Sequence, residues 1–186
     1  MTKLHARPYL WSVEEYEELG RAGFFQGDQR VELFKGEIIA ISPIGYRHAT
    51  AVTLLTNFLA RKSRGRFDVS PQNPFNLDQR SQPQPDLSLL DPICVRLPRH
   101  PEPAEIFLVI EVSDNSVRYD REDKGPAYAE RGVREFWLLN LETNQLEVFR
   151  DPGPNGYAQT MLLGPDDTVA PLAFPDLKLR IGNFLP

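Results

Sequence analysis

Apolar positions recur along this chain with two periods, and the switches between them mark its elements. In "WSVEEYEELGRAG" the spacing is helical; Ser12 is placed to cap, Glu15 follows three residues later as a capping box, and Gly20 or Gly23 ends the helix. "RVELFKGEIIAIS" alternates instead and carries Lys35-Gly36 at its middle, the pattern of a two-stranded hairpin. "HATAVTLLTNFLARKSRG" returns to helical spacing through Ala51, Leu54, Leu55, Phe58 and Leu59, with Gly65 after a basic end. Short strands are expected at "RFDVS", "PFNL", "DLSLL" and "IFLVIEV", then at "REFWLLN", "QLEVFR" and "YAQTMLL", with "LETNQ" as the turn after the first of these last three. Between Val112 and Glu135 a polar segment predicts a helix of about three turns that ends at Gly132. The last stretch, "GPDDTVAPLAFPDLKLRIGNFLP", is short apolar pieces broken by prolines and reads as packing structure. Early helices, a run of strands and a helix between two strands predict a mixed α/β (α+β) fold.

Composition narrows this picture. With 186 residues the chain is long enough for one well-formed core and short for two, so a single domain over residues 1–186 is expected. The 41% hydrophobic and 25% charged residues describe an ordinary globular protein. The 17 prolines fall mostly between apolar runs, where they set turns and strand ends. Cys94 is the only cysteine, which excludes an intramolecular disulfide and a cysteine-based zinc site. The stretch "MTKLHARPYLWSVEEYEELG" lacks a signal-peptide core, and no apolar run approaches the roughly 18 residues of a membrane span, so a cytoplasmic protein without a membrane partner is expected. A net charge of -5 provides no global basic field for nucleic acid. Any such binding needs a local patch, and "FLARKSRGRFD" supplies Arg61, Lys62, Arg64 and Arg66, which either contact phosphates or complement the helix dipole.

Three carboxylates interrupt or border apolar strands: Glu32 in "RVELF", Asp86 in "PQPDLSLL" and Glu111 in "LVIEVS". A buried charge costs several kcal/mol unless something pairs with it, and carboxylates brought together repel unless a cation sits among them. A hard-oxygen set without cysteine suits Mg²⁺ or Mn²⁺. Plainer roles are also open: Glu32 as a hairpin acid paired with Arg30 or Lys35, Asp86 as a turn or strand-start acid after Pro85. Glu111 is the hardest to explain that way, because an apolar run precedes it and Val112 follows. Asp120, Lys124 and Tyr128 stand at i, i+4, i+8 and share one helix face if the helix runs that far. Pro126 belongs in a first turn, which predicts a helix start near Asp123 with Asp120 before it. His48 opens the strongest helix, where capping is the plainer role. Gln84 is either a metal or substrate contact or a surface amide.

Taken in order, "RVELFKGEIIAISP...H", "QPDLSLL", "LVIEVSDNS...D...K...Y", "GVREFWLLN" and "LEVFR" resemble the Uma-two family of restriction-endonuclease-like proteins, within the PD-(D/E)XK nuclease superfamily. The resemblance runs from about Trp11 to Leu185. It implies one restriction-endonuclease-like domain, a mixed sheet flanked by helices with an N-terminal helix and hairpin. It makes Asp86 the aspartate of the proline-aspartate signature and Glu111 the acid of the second element. The superfamily's usual lysine, two residues past that acid, is Ser113 here; the family resemblance implies a lysine from the following helix, which matches Lys124. Glu32 matches the acid of the family's N-terminal hairpin, and His48 and Asp120 sit at family-like positions.

The function this implies is metal-dependent hydrolysis of DNA phosphodiester bonds. Asp86, Glu111 and the Val112 carbonyl would hold Mg²⁺ or Mn²⁺, Lys124 would orient water or stabilise charge, and Glu32 would complete the shell or act as a base. His48, Gln84, Asp120 and Tyr128 are accessory candidates. A single copy cuts one strand, so duplex cleavage implies a two-fold dimer. The alternative is a catalytically inactive nuclease fold serving as a DNA-binding or assembly module.

Overall fold

Ser12 and Glu15 exchange the hydrogen bonds of a capping box: the Glu15 N–H donates to Ser12 Oγ at 3.2 Å and the Ser12 N–H to Glu15 Oε2 at 2.8 Å. They start α1, Val13–Arg21, which closes before Gly23. The computed structural model describes residues 7–25, 30–41 and 43–186. The chain divides into two compact units: the described residues of Met1–Ser42 with Asn76–Pro83, and Pro43–Phe75 with Gln84–Pro186.

The first unit holds α1 and the antiparallel hairpin of β1, Val31–Phe34, and β2, Glu37–Ala40. Its turn puts both Lys35 (φ 51°) and Gly36 (φ 81°) in the left-handed region, as a two-residue turn matching strand twist requires. A Cβ on Gly36 would lie 2.7 Å from Leu10 Cβ, so no other residue fits there. Asn76–Pro83 returns along this hairpin, with the Gln82 N–H on Leu33 O at 2.8 Å. The strand expected at "PFNL" does not form; among the described residues this stretch shows only isolated bridges, Leu33 with Gln82 and Asp78 with Ser81. Pro74 removes a backbone donor and the Asp78–Ser81 turn ends the run, so no ladder can extend.

The second unit is a six-stranded mixed sheet in the order β3-β4-β5-β6-β7-β8. Its strands are β3 (Asp68–Pro71), β4 (Leu87–Leu90), β5 (Ile106–Ser113), β6 (Glu135–Asn140), β7 (Gln145–Gly153) and β8 (Gly156–Leu163). Every neighbouring pair is antiparallel except β5 and β6. A parallel pair needs a crossover, and a helical segment supplies it. α2, Tyr46–Ser63, lays Ala51, Val52, Leu55 and Leu59 against Leu87, Leu89, Leu108 and Ile110 of the sheet. Val169, Phe174, Leu179 and Phe184 complete that core, so the proline-broken C-terminal stretch is packing structure.

The crossover corrects the sequence reading. Helix begins at Val117 rather than near Asp123: α3 (Val117–Tyr119), a π turn (Asp120–Lys124) and α4 (Gly125–Glu130) run on without a break. In the π turn the Gly125 N–H bonds to Asp120 O, an i→i−5 closure. Pro126 follows that closure at the start of α4. The widened turn accommodates the proline, which has no N–H to give an α-helical ladder. Asp120 and Lys124 are therefore in one continuous helix.

Candidate active site

Sheet register brings the first two acids together. Leu87 is paired with Ile110 across β4 and β5, so one step further sets Asp86 opposite Glu111, and opposed residues face the same side. The Asp86 N–H donates to Glu111 Oε2 at 3.3 Å, and the Val112 N–H donates to Asp86 Oδ2 at 2.8 Å. It is the amide of Val112 that touches the aspartate. Below this pair the crossover helix inserts two donors: Lys124 Nζ lies 3.1 Å and Tyr128 Oη 2.9 Å from Glu111 Oε1. Glu111 and Lys124 are only 3% and 5% exposed.

His48 is not a helix cap. Gly45 holds the N-cap position of α2, which begins at Tyr46. This places His48 in the first turn, with Nε2 2.9 Å from Asp86 Oδ1. Arg47 beside it bonds Asp114 at 3.1 Å and Leu141 O at 2.6 Å, tying the start of α2 to the loop after β5 and the end of β6.

Asp120 lies on the helix face that carries Lys124 and Tyr128, and all three are buried. Asp120 Oδ1 is 3.8 Å from Lys124 Nζ, while Oδ2 accepts from Ser113 Oγ at 3.0 Å and Ser116 Oγ at 2.6 Å. Burial raises the Asp120 pKa above the ordinary carboxylate value, against the lowering pull of Lys124 and the two hydroxyls. Ser113 and Ser116 are the residues sequence reasoning missed. Their signal was a pair of hydroxyls in "SDNS" with Asp120 four residues after Ser116, an i,i+4 relation on a helix.

Glu32 is on β1, in the first compact unit, and is buried. Gln84 is half-buried, two residues before Asp86. Arg61, Lys62, Arg64 and Arg66 cluster at the end of α2 opposite His48, about 20 Å away at 1.5 Å per residue. Arg66 forms an ion pair with Asp176 at 2.8 Å and covers the Phe174 ring, while Lys62 lies over Phe58.

The family model described as "Putative restriction endonuclease" (Uma2) matches residues 13–182 of this sequence. The chain belongs to the Uma2 family. Its fold is similar to the crystal structure of a "putative nuclease belonging to DUF820" from Anabaena variabilis ATCC 29413, with a TM-score of 0.75 at 15% identity over 94% of this chain and 97% of that one. Comparison with curated proteins returns no match. The resemblance in the sequence motifs is thus borne out for the family, and the six-stranded mixed sheet for the fold.

In this Uma2 chain, His48, Asp86, Glu111, Asp120, Lys124 and Tyr128 converge within the second unit. Three carboxylates gather around one ammonium and one imidazole, a set rich in acid. Among the described residues no group of three or more His, Cys, Asp and Glu forms a cage by itself. Asp86, just before β4, stands opposite Glu111 of β5, and water or substrate oxygens would have to supply the rest of any coordination shell.

Proposed function

We propose that this protein is a metal-dependent DNA endonuclease that hydrolyses phosphodiester bonds. The juxtaposition of Asp86 and Glu111, with Lys124 at 3.1 Å from Glu111, carries the reading. The donor set fits Mg²⁺ or Mn²⁺: both ligating side chains are hard oxygens, and Mg²⁺ is commonly held by one or two carboxylates with substrate phosphate and water completing its shell. Asp86, Glu111 and the Val112 carbonyl would hold the ion. When bound there, it lowers the pKa of an attacking water and offsets charge developing on the phosphate.

The side chains have separable parts in this reaction. His48 fixes the Asp86 carboxylate through Oδ1, and the Val112 amide fixes it through Oδ2, so its direction is set before substrate arrives. Tyr128 and Lys124 do the same for Glu111. Lys124, as a buried ammonium, orients the water or donates to the charge that grows on phosphate oxygen. The deciding experiment is cleavage of plasmid and branched DNA with Mg²⁺ or Mn²⁺ and with chelator. Cleavage is expected to need the metal and to be lost in Glu111→Ala and Lys124→Ala while both variants stay folded. Full activity in either variant sinks the assignment. Glu32→Ala, assayed alongside, tests the part the resemblance implies for that residue. Duplex cutting would further call for a two-fold dimer, checked by sedimentation.

One observation favours a second reading, a nuclease fold acting as a DNA-binding or assembly module. Each oxygen of Asp86 and Glu111 already accepts from, or pairs with, a protein donor. DNA binding without cleavage in either metal would support it.

A further inference from the structure

We infer that Asp120 is a positioning residue for Lys124, held in place by Ser113 and Ser116 and set four residues before the lysine on the same helix. This rests on the nuclease reading for its consequence in catalysis, though its geometry stands apart from that reading.

Lys124 is a nearly fully buried ammonium, and such a group stays charged and fixed only where buried counter-charge surrounds it. Glu111 is one source, at 3.1 Å. It is also a proposed ligand, and a carboxylate that shares its charge with a cation holds a lysine less firmly. Asp120, at 3.8 Å, is another source, and its own burial keeps it from acting as an open ligand. Oδ2 is engaged by two hydroxyls, which leaves Oδ1 turned to the ammonium. Ser113 occupies the position where the superfamily usually carries its lysine; here its hydroxyl anchors the carboxylate that faces the relocated one.

The two side chains come from one π turn of the crossover helix. Asp120 and Lys124 are its first and last residues. Residues i and i+4 share a helix face, and from it Lys124 Nζ reaches Glu111 at 3.1 Å and Asp120 at 3.8 Å.

The test compares Asp120→Asn, Asp120→Glu and the double variant Ser113→Ala/Ser116→Ala with wild type, with two readouts. The first is the ammonium signal of Lys124 in protein labelled with ¹⁵N-lysine, one of five lysines and assigned by Lys124→Arg. The second is kcat and KM for Mg²⁺-dependent DNA cleavage. Wild type is expected to show a slowly exchanging Lys124 signal. Asp120→Asn should lose it and lower kcat about tenfold at unchanged KM, as outer-shell partners commonly do; Asp120→Glu should recover part of both, and the double serine variant should resemble Asp120→Asn. A folded Asp120→Asn that keeps the Lys124 signal, or loses it at wild-type kcat, overturns the inference. If Asp120→Asn does not fold, the double serine variant decides by the same criteria. If wild type cleaves nothing, the nuclease reading falls alone: loss of the signal in Asp120→Asn still supports the positioning, and its persistence overturns it.

Discussion

Two buried carboxylates sit on neighbouring strands of the same sheet, and they live in opposite chemistry. Glu135, at the start of β6, is 0% exposed; its Oε1 accepts from Arg150 Nε and Trp137 Nε1, both at 2.8 Å, and its Oε2 from the Leu172 N–H at 2.7 Å. Arg150 also donates to Ala170 O at 2.8 Å. This is a closed arrangement: one acid, one guanidinium that never deprotonates, and strong donors on both oxygens. Glu111, near the end of β5, has a lysine and a tyrosine on one oxygen and the backbone N–H of a second acidic residue, Asp86, on its other. There the acids outnumber the cations, and the side chains of Asp86 and His48 reach toward solvent, at 13% and 16% exposure. A buried charge matched by a fixed partner contributes to the fold, while the negative excess beside solvent is the feature on which the proposed metal binding rests.

The largest expected effect breaks the comparison on the structural side. Glu135→Ala strands Arg150 in the core and should cost about 3–5 kcal/mol of stability, read as a lowered urea midpoint. Glu111→Gln keeps the volume and part of the bonding, so it should cost less stability than Glu135→Ala yet lower cleavage about 10²–10³-fold. If the two variants destabilise equally and cleavage is unaffected by Glu111→Gln, the contrast fails. His48→Ala should lower cleavage by about tenfold to a hundredfold, because Asp86 loses the contact that aims it. Asp120 sharpens the contrast through pH. Its folded pKa is raised, chiefly by burial, so between the ordinary carboxylate pKa and the raised one the folded state holds a proton that the unfolded chain has released. Stability therefore falls as pH rises through that window, and Asp120→Asn should flatten the curve of urea midpoint against pH there. The smallest effect belongs to the basic end of α2: Arg64→Ala should leave cleavage chemistry unchanged and, if that end contacts phosphate, reduce the salt slope of DNA binding by about one.

Much of the fold was legible. The hairpin followed from alternation around Lys35-Gly36, the first helix from its capping box, and the sheet strands from short apolar runs between turn residues, because each of these is decided by neighbours a few residues apart. Glu111 stood out as an acid after an apolar run, and the stripe Asp120, Lys124, Tyr128 was visible from its spacing. Glu135 was not singled out, although "REFWLL" sets an acid against an apolar strand much as "LVIEVS" does. Only pairing separates them: β6 and β7 match Glu135 with Arg150, fifteen residues on, and no local pattern reports that register.

What the sequence determined alone was the set of elements and the inventory of acids and bases on them, since periodicity, capping and turn chemistry act over short range. Tertiary structure decided which of those groups meet. Register across β4 and β5 placed Asp86 opposite Glu111, the start of α2 at Tyr46 turned His48 from a capping candidate into a partner of Asp86, and a π turn let the helix run from Val117 through Pro126 with Asp120 inside it. The physical reason is the same each time. A side chain's charge state and orientation depend on partners brought in from distant parts of the chain, and burial makes those partnerships strong enough to settle what each acid does.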